Sequence, residues 1–174
     1  MENEFSGTEK AAKLLYSTMV ITIIVISIFC IFLTVLFFAG IFKFEFVNKY
    51  IADPSLFFGG SLSEFFLMVF LYICDLIFWI IIMCNCLVIS KNTIKHGSPY
   101  TIGNAILVNF IYKIYSISVV IWYVGIVILL PLFGGVIGLH NLKLSKIAIL
   151  LVFYFIACIF SKAKDLQLEN DEIL

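Results

Sequence analysis

Residues 14–41 read LLYSTMVITIIVISIFCIFLTVLFFAGI and contain no formal charge. As a helix this run extends about 42 Å, against a bilayer hydrocarbon core of roughly 30 Å. A secretory leader carries an apolar stretch of only about 7–15 residues and ends on an A-x-A-like site. Here the run is far longer and closes on Ala39-Gly40, so it predicts an uncleaved spanning helix.

Three more stretches have the same character. Residues 62–89 form a second span, which contains Asp75. A third covers residues 114–133, with an extension upstream from Gly103 that includes Asn104, Asn109 and Lys113. The fourth, Ile147 to Phe160, reaches the required length of about 20 residues only with its flanks, over 144–161. Whole-chain composition agrees: 63% of the 174 residues are hydrophobic and 13% charged. Soluble domains hold about 45–50% and about 25%. A small soluble fold could not hide that much apolar surface. The expected fold is all-α, a polytopic integral membrane protein with a four-transmembrane-helix bundle as its single domain, 1–174.

An even number of spans places both termini on one side. Lys10, Lys13, Lys91, Lys95, Lys162 and Lys164 then share a side, against Lys43, Lys49, Lys143 and Lys146. Six against four favours cytoplasmic termini, with loop 90–103 and tail 162–174 inside the cell. Lys113, at the inner interface, adds to the same side. The aromatic residues Tyr16, Tyr50, Tyr100, Tyr112 and Tyr115 cluster near predicted boundaries, whereas Trp79 and Trp122 lie deeper, as packing residues do.

Net charge is zero, and all eleven basic residues are lysine. Neither observation points to direct nucleic-acid binding. The five cysteines lie in apolar runs without a C-x-x-C, which suits small packing positions better than metal or disulfide chemistry. No Ser/His/Asp set, H-E-x-x-H or Gly-rich phosphate loop occurs, and His96 and His140 fall on opposite sides. The Gly134–Gly138 spacing follows Pro131 and reads as a turn. The expectation is a non-enzymatic protein with no cofactor and no metal.

Asp75 is the most unusual residue. A carboxylate inside a span costs roughly 2.5–3.5 kcal/mol on insertion scales. It should face the interior, either as a proton or ligand site or as a protonated group tying helices through Ser, Thr or Tyr. Lys113 is about 21 Å away along the membrane normal, counted from the inner end of the second span, and should snorkel inward. Asn85 and Asn109 are the expected neighbours of Lys113, with Asn109 and Lys113 at i,i+4 on one helical face.

The inner loop runs Lys95-His96-Gly97-Ser98-Pro99-Tyr100-Thr101, followed by Asn104. Gly97 suits a helix terminator, Pro99 blocks resumption, and Thr101 or Asn104 can cap the third helix. Leu166-Gln167-Leu168-Glu169-Asn170-Asp171 opens a charged tail expected to fray. These two segments, with the order and spacing of the spans, resemble the bacterial membrane family catalogued as domain of unknown function 2975. The resemblance implies a small four-helix membrane protein without assigned activity, often encoded beside a small helix-turn-helix transcription regulator.

Three functions follow as expectations. The first is a membrane protein that binds a cytoplasmic protein partner through Lys95, Gly97, Pro99, Tyr100, Asn104, Leu166, Gln167, Glu169 and Asp171. The second is a transporter or channel component that uses Asp75, with Asn85, Asn109 and Lys113 as further polar groups. The third is an immunity or stress protein. Membrane lipid is the surrounding partner in each, and homo-oligomerisation is compatible with all.

Overall fold

The computed structural model describes residues 2–42, 62–96, 98–132 and 142–173. Residues 43–61, Gly97, His140 and the Gly134–Gly138 spacing lie outside the described residues. So do the side chains of Glu64, Gln167 and Asp171. Four long helices carry the fold: α1 (Glu2–Ile41), α2 (Leu62–His96), α3 (Ile102–Val124) and α5 (Leu144–Ile173). Between α3 and α5 come a π-helical turn, Gly125–Leu129, and a short α4, Leu130–Leu132. The chain is thus all-α, and each long helix is apolar and long enough to cross a membrane: Lys10–Ile41, Phe65–His96, Ile102–Leu132 and Leu144–Leu166.

Lipid offers no hydrogen bonds, so polar side chains in these helices must be satisfied within the protein. Several turn back onto the carbonyl one turn earlier. Thr18 donates to Leu14, Thr22 to Thr18, Thr34 to Cys30, Thr93 to Ile89 and Ser116 to Tyr112, all at 2.8–2.9 Å. That back-bonding lets hydroxyls sit in an apolar helix at little cost.

The helices pack as a row in chain order: α1 on α2, α2 on α3, and α3 on α5. α3 is the most enclosed, and α1 leaves most of its circumference to lipid. Two apolar clusters join α2 and α3. One contains Leu67, Met68, Leu71, Trp122, Ile126 and Leu130. The other joins Ile82 to Ile111, Tyr115 and Val119, and it reaches α5 through Ile149, Leu150 and Phe153.

Helix boundaries differ from the sequence reading in two places. α1 begins at Glu2, well before Leu14, and α5 stays helical to Ile173 where fraying was expected. At the other end, Pro131 lacks an amide donor and its ring crowds the preceding turn. The π turn before it absorbs that defect, with the Leu130 amide donating to the Gly125 carbonyl five residues back.

Gly125 also lets α2 and α3 approach. A Cβ built there would fall 2.5 and 2.6 Å from the Leu71 methyls and 3.1 Å from its Cγ. Leu71 is itself buried in the first cluster and has little room to turn. Gly125→Ala should therefore cost about 1–3 kcal/mol in a detergent unfolding titration, as overpacking does. Shortening the opposing side chain with Leu71→Ala should make the glycine change cheaper. A Gly125→Ala penalty independent of Leu71 would refute that contact as its origin.

Candidate functional site

Asp75 sits thirteen residues into α2, about 20 Å from Leu62. Its carboxylate forms an ion pair with the Lys146 ammonium and accepts a 2.9 Å hydrogen bond from the Ser118 hydroxyl of α3. Lys146 belongs to the first turn of α5 and is only 5% exposed. The sequence reading put Lys146 among the outer-loop lysines, and that placement is corrected: it is a core residue. The physical reason is span length. Ile147–Phe160 is too short to cross, so α5 draws Leu144, Ser145 and Lys146 into the helical span, and the buried ammonium takes the available carboxylate. An anion beside a helix N-terminus is also favoured by the macrodipole.

A second lysine completes the cluster. Lys143, immediately before α5, holds its ammonium 3.9 Å from the Trp122 ring centroid and 4.2 Å from that of Tyr72. The two rings meet edge to face at 5.2 Å. Burial pushes the Lys143 ammonium below the usual lysine range; Asp75 opposes that shift and Lys146 adds to it. Lys143 is the one described non-glycine residue with positive φ, at 39°. Its carbonyl accepts the Lys146 amide at 2.8 Å, and the preceding Leu142 carbonyl accepts the Tyr123 hydroxyl at 2.6 Å. These bonds anchor the entry to α5 against α3. Lys146 in turn lies 5.0 Å from the Trp122 ring.

The small void flanked by Asp75, Ser118 and Trp122 leaves no room for a water molecule. One carboxylate, two ammonium groups and two aromatic faces thus make a closed polar joint between α2, α3 and α5. Chemically it can hold charge in place between the three helices.

The other polar candidates do not join it. Lys113 and Asn109 are both exposed on α3. Asn85 donates at 2.8 Å to the Ile81 carbonyl of its own helix. The expected meeting of Asn85 and Asn109 with Lys113 is therefore replaced by local satisfaction of Asn85 and lipid-facing placement of the other two.

At the far end, the α2–α3 turn is organised by Asn104, which is fully buried. Its amide donates to the Pro99 carbonyl at 3.0 Å and to the Thr93 hydroxyl at 3.5 Å, and its oxygen accepts from Asn92 at 3.0 Å. Thr101 caps α3 by accepting the Asn104 amide at 3.2 Å. Asn104 is corrected from a partner contact to the residue that fixes the turn. Pro99 is half-buried, whereas Lys95, His96 and Tyr100 remain exposed, with the Tyr100 ring 5.3 Å from Phe160 of α5. On the α5 extension Leu166, Leu168 and Glu169 are exposed. Among the described residues, no group of three or more His, Cys, Asp or Glu side chains could hold a metal ion.

No protein-family model, curated protein or solved structure matches this chain.

Proposed function

We propose that this integral membrane protein is a non-enzymatic anchor that presents its cytoplasmic end to a protein partner. The reading rests on one observation: at a single end, α2 and α5 run on as helices past their apolar stretches, to His96 and Ile173. That end carries Lys91, Lys95, His96, Tyr100, Leu166, Leu168 and Glu169 on its exposed surface. The turn between α2 and α3 is pinned by Asn104, so the surface is held in shape before any partner arrives, which lowers the ordering cost of association. The lysine distribution supports a cytoplasmic location for it. The motif resemblance adds a partner class, a small helix-turn-helix regulator.

The transport reading draws on the buried Asp75–Lys146 pair, since intramembrane charges often mark ion paths. The direct ion pair, beside a void too small for a water molecule, weighs against it.

The test compares the intact chain with one ending at Ser161, each used to recover cytosolic proteins in mild detergent. A partner held in stoichiometric amounts by the intact chain alone is the expected result. Equal recovery by both, with both chains still helical, would remove the α5 extension from the function. Lysine-specific labelling at Lys95 and Lys164 from outside intact cells should fail; labelling there would invert the orientation.

A further inference from the structure

Between α3 and α5, near the end where α5 leaves its apolar stretch, lies a lateral groove with about 260 Å³ of open space. Its polar lining comes from Lys164 and Ser161 on α5 and from Asn109 on α3. Ala157 and Cys158 also line it, and their small side chains leave a recess between the two helices. Deeper in the span it is closed by Tyr112 and Tyr154, whose rings meet at 5.7 Å. From Tyr154 to Lys164 the groove runs about 15 Å along α5.

An amide and an ammonium beside hydrocarbon are costly unless something satisfies them. Neither Asn109 nor Lys164 has a hydrogen-bonding or ionic partner among the described residues. Asp165, next in the chain to Lys164, is exposed and does not line the groove. Lys162, exposed two residues before Lys164, adds positive charge at the same end of α5. The surrounding surface, with Ile106, Phe110, Phe155 and Ile159 exposed, belongs in acyl chains. The recess is too small for a helix, whose diameter is about 10–12 Å with side chains.

We infer that this groove seats an anionic phospholipid, its phosphate on Lys164, Asn109 and Ser161 and an acyl chain along Ala157, Cys158 and Tyr154. Basic recesses between spanning helices bind lipid headgroups by this combination of charge and shape. The inference needs only that the chain spans a membrane. It is independent of the protein partner proposed above and of which face is cytoplasmic.

The full chain, purified in neutral detergent, is offered equimolar phosphatidylglycerol and phosphatidylcholine, and retained lipid is counted by native mass spectrometry. Phosphatidylglycerol should be preferred by about fivefold, the scale of one lysine beside an anionic lipid. Lys164→Gln and Asn109→Leu should each bring the preference near unity, while Lys164→Arg keeps it. Lys10→Gln, on the exposed start of α1, should leave it unchanged. Equal retention of the two lipids by the unaltered chain overturns the site. A loss with Lys10→Gln as large as with Lys164→Gln would mean diffuse surface attraction instead. Displacement by equimolar glycerol 3-phosphate would show that the acyl chain is irrelevant, and would overturn the lipid as ligand.

Discussion

Asp75→Leu should be among the most damaging side-chain changes in the chain, costing about 3–5 kcal/mol as the loss of one partner from a buried ion pair does. The leucine removes the one carboxylate facing Lys146, which is buried, and Lys143, whose ammonium is already disfavoured by burial. Two like charges are then left in a filled space. Lys146→Met should cost less, because Asp75 keeps its hydrogen bond from Ser118 and the Lys143 ammonium as a nearby opposite charge. The double change Asp75→Leu with Lys146→Met should recover much of the loss, since a well-packed apolar pair often replaces a buried ion pair without penalty. Unfolding free energies from a detergent titration followed by helicity would show this as strong coupling between the two positions. Additive single changes, each under about 1 kcal/mol, are what a solvent-exposed pair gives and would contradict the buried joint.

The four spans were legible because lipid imposes one requirement, length of apolar helix, which is written locally in the chain. Residues 14–41 needed no knowledge of the rest of the molecule. Asp75 also announced itself locally as a charge that must face inward. Its partner did not. Lys146 lies 71 residues away and looks like a boundary lysine when the apolar run alone is counted. The signal was present in the span length: a fourth span over 144–161 contains Lys146, yet the lysine count left that residue in the outer loop. A buried lysine and a buried aspartate in neighbouring spans then satisfy each other more cheaply than either is satisfied alone.

The turn at Asn104 failed for a different reason. Lys95 to Thr101 reads as a distinctive polar segment, and distinctive polar residues suggest a binding surface. In the structure part of that polarity is consumed internally: Asn92, Thr93, Pro99 and Thr101 all bond to Asn104. Sequence spacing shows that these groups are close in the chain, but not which of them point at one another. The exposed remainder is mainly Lys95, His96 and Tyr100, a smaller surface than the motif suggested. Helical continuation of α5 to Ile173 enlarges it, because it places Leu166 and Glu169 on a helix.

Trp122→Ala should cost about 3–5 kcal/mol, the scale for emptying a buried aromatic position. Trp122 is 1% exposed and packs with Leu67, Met68, Leu71, Ile126 and Leu130. Without water as the competing solvent, most of this cost comes from lost contacts and the cavity, because lipid tails are as apolar as leucine. Its ring also faces Lys143 at 3.9 Å and Lys146 at 5.0 Å, and each such contact contributes about 0.5–2 kcal/mol. Two conservative changes separate these effects. Trp122→Phe keeps an aromatic face and Trp122→Leu does not, although both leave a smaller void than alanine. If the cations matter, the leucine variant should be less stable than the phenylalanine variant by about 1 kcal/mol, and adding Lys143→Met, which removes the nearer cation, should shrink that difference. Trp79 then remains as the only tryptophan, packed 5.7 Å from Tyr115, and its fluorescence reports unfolding in every variant. Equal stability of the two variants would assign Trp122 to packing alone and leave Asp75 as the sole group that holds the two lysines.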